Sequence, residues 1–157
     1  MNKMKFLAIF GIAASIILMA CDMYDDGIPS KAIRKEFKAK YPDAKDVEWE
    51  REGTYWSVSF ETGTYSARID HEALFDGAGK WVMTETEVYI HDVPQSVKDA
   101  LAANAEFGSL PLEDREVEYY QTPDGNFYRF DLVSAGRDID VDVSEDGKVS
   151  LAKRILF

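Results

Sequence analysis

Residues 47–60 have the sequence VEWEREGTYWSVSF. Apolar side chains alternate with polar ones on both sides of Glu52-Gly53, with Trp49 before this pair and Trp56 and Val58 after it. A period of two residues is typical of a strand with one buried face, and a glycine-containing pair between two such runs is typical of a tight turn. The stretch therefore predicts a β-hairpin that buries aromatic side chains on one face.

A helix-forming segment precedes this hairpin and recurs later in the chain. Ile28-Pro29 opens the first segment, and Val93-Pro94 opens the second, 65 positions further on. Apolar residues at helical spacing follow each proline, and they predict one buried side on each helix. These residues are Ile33, Phe37 and Tyr41 in the first segment and Val97, Ala100, Leu101 and Ala105 in the second.

The strands that follow each helix also correspond in order. Val47-Glu48-Trp49 corresponds to Val117-Glu118-Tyr119, and Gly79-Lys80 corresponds to Gly147-Lys148. The sequence therefore predicts an α+β fold of two tandem repeats, 28–90 and 93–157, each a short helix packed on a four-stranded antiparallel sheet. Because a unit of about 65 residues is marginally stable alone, we expect the two repeats to pack together.

The first twenty residues have the pattern of an export signal. Lys3 and Lys5 precede an apolar run over 6–20, which at about 15 residues is shorter than the roughly 20 that a membrane-spanning helix needs. Leu18-Met19-Ala20-Cys21 resembles the bacterial lipobox, in which the cysteine is acylated. We predict a cleaved signal peptide at 1–20, lipidation of Cys21 and an acidic tether at 21–27. The alternative is a buried free cysteine behind an ordinary signal or anchor.

These features predict a protein that is held by its N-terminal lipid in the cell envelope, on the periplasmic face or at the cell surface. The acidic residues of the tether, Asp22, Asp25 and Asp26, are either a sorting signal or a solvated linker. The sequence therefore leaves open whether the anchor lies in the inner or the outer membrane.

The composition excludes several classes of function. A net charge of −11 repels phosphate backbones, so nucleic acid is not expected as a partner. With one cysteine and only His71 and His91, the chain has no internal disulfide and little material for a metal centre or a catalytic triad. We therefore predict no enzymatic activity and no cofactor.

An acidic run at 138–146 leaves two interpretations open. A calcium loop that starts at Asp142 would place Ser144 and Asp146 correctly, but its twelfth position is Lys153 instead of a glutamate. The alternation of Asp with Ile139, Val141 and Val143 instead favours a strand with a solvated acidic face.

The aromatic residues divide into two sets by their phase along the strands. Trp49, Trp56, Phe60, Tyr119, Tyr128 and Phe130 share the phase of the apolar neighbours and are predicted to form the core. Tyr55, Tyr120 and Phe127, with Arg129, have the opposite phase and are predicted to lie on the solvated sheet face as a protein-binding site. The alternative is that another part of the chain covers them.

The order of a helix after Ile-Pro or Val-Pro, aromatic hairpin strands and a Gly-Lys turn, behind a lipobox, resembles the PepSY-like family of exported bacterial proteins. That family is similar in fold to a secreted beta-lactamase inhibitor protein with two helix-plus-sheet repeats. The resemblance covers 28–157 and implies a noncatalytic binding role. The inhibitor protein has disulfides within its repeats, whereas this chain has no second cysteine, so beta-lactamase inhibition is not implied by default.

The sequence thus predicts a lipid-anchored, noncatalytic envelope protein that presents a sheet surface to an unknown protein or peptide in an inhibitor-like manner. The alternative function is a small-ligand or calcium-binding module that uses the acidic strand at 138–146.

Overall fold

A computed structural model describes residues 27–153. This part of the chain forms two helices, each followed by four strands. These are α1 (Lys31–Lys40), β1 (Lys45–Glu52), β2 (Tyr55–Thr64), β3 (Ala67–Asp76), β4 (Trp81–Tyr89), α2 (Gln95–Ala103), β5 (Glu116–Thr122), β6 (Gly125–Ser134), β7 (Arg137–Ser144) and β8 (Val149–Leu151). The order of a helix and then four strands, repeated once, agrees with the sequence prediction.

All eight strands belong to one antiparallel sheet in which every strand pairs with its neighbours in the chain. The two halves are joined where β4 pairs with β5, from Thr84 opposite Gln121 to Tyr89 opposite Glu116. The prediction of a separate four-stranded sheet in each repeat is therefore wrong. Pairing β4 with β5 satisfies backbone groups that two separate sheets would leave exposed at their edges.

Both helices pack on the same face of this sheet. Ile33 and Phe37 of α1 contact the first cluster of buried residues, which includes Val58 and Phe75. Val97 and Leu101 of α2 contact the second cluster, which includes Phe130. The strand register places these sheet residues on one side, because Val58, Ala73 and Thr84 pair in turn across β2, β3 and β4, and the alternation continues into β5–β7.

Helix α1 begins and ends where its sequence suggests. The Ser30 hydroxyl accepts a hydrogen bond of 3.3 Å from the backbone N–H of Ile33, and Pro42 follows the last turn. Helix α2 ends at Ala103, so Ala105 lies beyond it and is exposed, contrary to the predicted apolar stripe.

The two Gly-Lys turns give the most direct evidence of duplication. Gly79 and Gly147 have positive φ angles of 92° and 87°. Each N–H donates a backbone hydrogen bond of 2.9 Å to the residue three positions earlier, Asp76 or Ser144. A Cβ at Gly79 would lie 3.5 Å from Ile33 of α1, and one at Gly147 would lie 3.6 Å from Ala100 of α2. The same turn therefore lies against the helix of its own repeat in both halves.

Among the described residues, the buried clusters lie on both faces of the sheet. No helix in the same range combines the length and the apolar composition that crossing a membrane requires. The predicted signal peptide at 1–20 and the predicted lipid on Cys21 concern residues outside the described part.

Candidate binding face

The face of the sheet opposite the two helices is the candidate site, and we call it the open face. Its residues follow from the strand register, since Ser57 pairs with Leu74, Leu74 with Met83, and Glu85 with Tyr120. Tyr120 in turn pairs with Phe127 across β5 and β6. The predicted phase of the strands is therefore correct in both repeats, and the aromatic set predicted as core lies on the helix side.

A small apolar cluster lies at the middle of the open face. Leu74, Met83 and Tyr120 are buried, and the half-buried Tyr55 and Phe127 pack against them. The rings of Tyr120 and Phe127 are stacked, with centroids 4.9 Å apart and an angle of 12° between their planes. Residues from both repeats contribute to this cluster, which is possible because the sheet is continuous.

Tyr120 and Arg129 do not have the exposure predicted for them. Tyr120 is 1% exposed and Arg129 is 9% exposed. The Tyr120 hydroxyl donates a hydrogen bond of 3.0 Å to the Glu118 carboxylate, and the Arg129 guanidinium lies 4.7 Å from the centre of the Tyr120 ring. These two residues form the base of the face, whereas Tyr55 and Phe127 retain surface that a partner could contact.

Arg129 is also held by a carboxylate on the next strand. Its Nε donates to Oδ1 of Asp142 at 2.8 Å, and its Nη2 donates to Oδ2 at 3.1 Å. Burial alone would lower the pKa of Arg129, but the hydrogen bonds with Asp142 and the nearby negative charge of Glu118 raise it. The guanidinium therefore stays charged and in a fixed position.

Next to this cluster the protein has an acidic cleft of about 140 Å³. No lysine or arginine is among the residues that line it, and His71 and Val117 contribute to its wall. The carboxylates that line the cleft belong to β3–β6 and to the loop before β5: Asp70, Glu72, Glu85, Glu87, Glu113, Asp114, Glu116, Glu118 and Asp131.

The crowding of these carboxylates changes their acidity. Burial, followed by the charge of Glu118, raises the pKa of Glu85 to about 8, and Oε2 of Glu85 is buried without a hydrogen-bond partner in the described part of the chain. Burial, with the neighbouring carboxylates, raises the pKa of Glu87 and of Asp131 to about 7. The Ser57 hydroxyl donates a hydrogen bond to Glu72, and burial raises the pKa of Glu72 as well.

The acidic run at 138–146 is not curled around an ion position. Arg137–Ser144 is a regular strand, in which Asp138 and Asp140 pair with residues of β6 and Asp142 is bound by Arg129. Among residues 27–153, no group of three or more His, Cys, Asp or Glu side chains has a geometry that could hold a metal ion.

The two histidines differ in their burial and in their hydrogen bonds. The ring of His71 is hydrogen-bonded to the hydroxyls of Thr62 at 2.7 Å and Thr86 at 2.9 Å, and burial lowers its pKa. His91 is exposed, stacks on Tyr89 and lies 3.4 Å from Asp92.

Comparison with known proteins identifies the family. The profile of the PepSY-like family, described as "Putative beta-lactamase-inhibitor-like, PepSY-like", matches residues 22–71 and 54–150. The chain belongs to this family. No curated protein matches the chain significantly.

Several solved structures are similar to this PepSY-like protein. A BLIP-like protein from Bacteroides fragilis NCTC 9343 shares 26% identity, with a TM-score of 0.69 over 79% of this chain and 84% of that one. A protein from Bacteroides eggerthii DSM 20697, described under "putative periplasmic proteins", shares 21% identity, with a TM-score of 0.63 over 78% of this chain and 86% of that one. A DUF2874 family protein from Bacteroides ovatus ATCC 8483 shares 17% identity, with a TM-score of 0.66 over 80% and 89%. The last two show the fold alone.

Membership of the PepSY-like family supports the resemblance inferred from the sequence, and the inhibitor-like description is of a noncatalytic kind. Sequence reasoning missed the acidic cleft. The chain has 29 acidic residues, and periodicity assigns each one to a face without indicating which of them converge. The pairing of β4 with β5, which brings Glu85 and Glu118 together, is a tertiary feature without a local sequence pattern.

Proposed function

We propose that this chain is a noncatalytic cell-envelope protein, anchored by a lipid on Cys21, whose open face binds another protein or a peptide in an inhibitor-like manner. The proposed contact residues are Tyr55 and Phe127, and Tyr120 and Arg129 hold them in position. The proposal includes no cofactor, no nucleic acid and no enzymatic activity.

One observation carries this proposal: half-buried aromatic side chains lie at the middle of a sheet face on which neither helix packs. Aromatic residues and arginine are enriched in the centres of protein interfaces, where they carry much of the binding energy. The stacked rings and the hydrogen-bonded Arg129 are already ordered, so a partner would not have to immobilise them on binding.

The position in the envelope is supported by the N-terminal sequence and by one similar structure. Residues 1–21 have the pattern of a lipoprotein signal, and the Bacteroides eggerthii protein of similar fold is described as periplasmic. Two or more acyl chains on one residue would anchor the protein stably, since a single chain gives only marginal binding.

A capture experiment with paired variants tests the binding face. The chain from Cys21 onward, with a photo-reactive cross-linker, is mixed with envelope extract and compared with the double variant Tyr55→Ala, Phe127→Ala. The matched control is Tyr65→Ala, Leu151→Ala, because these two apolar side chains are exposed and lie outside the open face.

We expect a defined set of proteins to be captured by the wild type and the control and to be lost from the open-face variant. Capture of the same proteins by all three would contradict the proposed surface. A separate assay tests the narrower inhibitor role. It measures the activity of purified beta-lactamase on a chromogenic substrate with and without this protein.

The alternative function, cation binding by 138–146, has less support. Asp142 is already bound by Arg129, and the remaining carboxylates of β7 lie side by side along an extended strand. We therefore keep it only as a hypothesis for direct titration.

A further inference from the structure

Helix α1 has a strongly basic side that the proposed binding function does not use. Lys31, Arg34, Lys35 and Lys38 are all exposed. Their spacing of three, four and seven residues places them on one side of the helix, away from the side that buries Ile33 and Phe37. We call these four residues the basic stripe.

The basic stripe is not neutralised by the rest of the fold. Within residues 27–153, none of its four side chains forms an ion pair, and Glu36 is the only acidic residue of the helix. Lys40 differs from them, because its Nζ lies 3.7 Å from the centre of the Trp81 ring. The basic stripe is therefore a positively charged patch on a chain whose net charge is −11.

The second repeat shows that the stripe is not needed for folding. Helix α2 has the same place in the duplicated fold and packs on the same face of the sheet, but its only basic residue is Lys98, which is followed by Asp99. Since one fold supports both helices, a structural requirement does not explain the charge of α1.

We propose that the basic stripe binds an anionic lipid surface and holds the helix layer against the membrane. Clusters of four or more Lys and Arg side chains on an amphipathic helix are attracted to anionic headgroups. Because the helices and the open face lie on opposite sides of the sheet, this contact would direct the open face away from the membrane.

The acidity of the open face does not oppose this contact strongly. The open face is separated from the outer side of α1 by at least the diameter of a helix, about 10 Å, and the Debye length at physiological salt is about 8 Å. The carboxylates of the cleft are therefore largely screened from a surface that touches α1.

The position of α1 in the chain favours a lipid surface over a soluble polyanion. Ten positions separate Cys21 from Lys31, a span of at most about 35 Å. If Cys21 is anchored as proposed above, the stripe is kept at a high effective concentration near the headgroups. The test below leaves out the lipid, so that it does not depend on the proposed anchor.

The test measures the binding to vesicles of the chain from Asp22 onward, which contains every residue of the buried clusters described above. Cosedimentation is compared for phosphatidylcholine vesicles and for equimolar phosphatidylcholine and phosphatidylglycerol vesicles. The stripe variant is Lys31→Gln, Arg34→Gln, Lys35→Gln, Lys38→Gln. The matched control removes four exposed cations elsewhere: Arg115→Gln, Arg137→Gln, Lys148→Gln, Lys153→Gln. Circular dichroism checks that each variant is folded.

We expect the wild type and the control to bind the anionic vesicles at least tenfold more tightly than the neutral ones, and added salt to weaken this binding. The stripe variant should lose the preference. Equal losses in the stripe and control variants, no preference in the wild type, or binding to soluble heparin without binding to vesicles would each overturn the proposal.

Discussion

Arg129 of β6 lies directly opposite Asp142 of β7 and donates two hydrogen bonds to its carboxylate, at 2.8 and 3.1 Å. The exposed fractions of the two side chains are 10% and 18%, so the pair is mostly shielded from water. Removing one member of a buried ion pair leaves the other without compensation. The pair therefore stabilises the base of the open face against the surrounding carboxylates.

We predict that Arg129→Met lowers the free energy of unfolding by about 3 kcal/mol, because it removes the cation shared by Asp142, Glu118 and the Tyr120 ring. Asp142→Asn, which removes a charge from an acidic neighbourhood, should cost only about 1 kcal/mol. Urea unfolding measures both values.

The surface pair of Arg68 with Glu61 is the control for this prediction. Its hydrogen bonds are 2.9 and 3.1 Å long, but the Arg68 side chain is 45% exposed. Arg68→Met should cost less than about 1 kcal/mol. If the Arg129 and Arg68 variants lose the same stability, the shielded pair has no special role.

The acidic cleft predicts that stability decreases as the pH rises. The pKa of Glu85 is raised from 4.5 to about 8, so between these values the folded state binds more protons than the unfolded state. Stability therefore falls through this range, and Glu87 and Asp131, with pKa values raised to about 7, contribute in the same direction.

Glu85→Gln should stabilise the protein above pH 8 by as much as about 5 kcal/mol and have little effect at pH 4.5. Thermal unfolding over this pH range measures the effect, and Glu106→Gln, at an exposed position, controls for the loss of one charge. If Glu85→Gln changed the stability by the same amount at every pH, the raised pKa of Glu85 would be contradicted.

The continuous sheet predicts that both repeats unfold together. All three tryptophans of the chain, Trp49, Trp56 and Trp81, lie in the first repeat, so their fluorescence reports on that half. Val141→Ala, at a fully buried site in the second repeat, should cost about 2 kcal/mol and shift the fluorescence midpoint as much as the circular dichroism midpoint. Two separate transitions would show that the β4–β5 pairing is weak.

Calcium titration tests the alternative function of 138–146. Because the carboxylates of β7 lie along an extended strand and one of them is bound by Arg129, we expect no saturable heat on titration at micromolar concentrations of calcium. Asp138→Asn, Asp140→Asn should leave the titration unchanged. Saturable micromolar binding that this variant abolishes would restore the calcium hypothesis.

Lipidation of Cys21 is tested by mass spectrometry of the membrane fraction after expression of the full chain in a bacterial host. We expect a mature N-terminus at Cys21 with attached acyl chains and no residues from 1–20. Cys21→Ser should carry no acyl chains. An unmodified thiol, or a peptide that still contains Lys3, would contradict the anchor.

Features that depend only on neighbouring residues in the chain were predicted correctly from the sequence. The period of two residues correctly assigns Trp56 to the helix side and Phe127 to the open face, because alternation along a strand depends only on the backbone. The Gly-Lys turns correctly indicate the duplication, because a positive φ at Gly79 and Gly147 favours glycine in both copies.

Features that depend on pairing between distant segments could not be predicted. The edges of β4 and β5 expose the same backbone groups in one sheet or in two, and the residues between them, 90–115, could have connected either arrangement. The burial of Tyr120 follows from this pairing, since Leu74 and Met83 pack against it from the first repeat. Its predicted exposure was wrong for that reason.

Each strand of the sheet bonds only to the strand before it and to the strand after it in the chain. This order affects how the chain can fold. Within each repeat, a chain that emerges from a translocation channel amino end first can add one strand at a time to the part already formed, and β4 alone has to wait for a partner beyond the next helix. Pairing between strands that are neighbours in the chain gives a lower contact order than a sheet of the same size with crossovers, and a lower contact order favours faster folding.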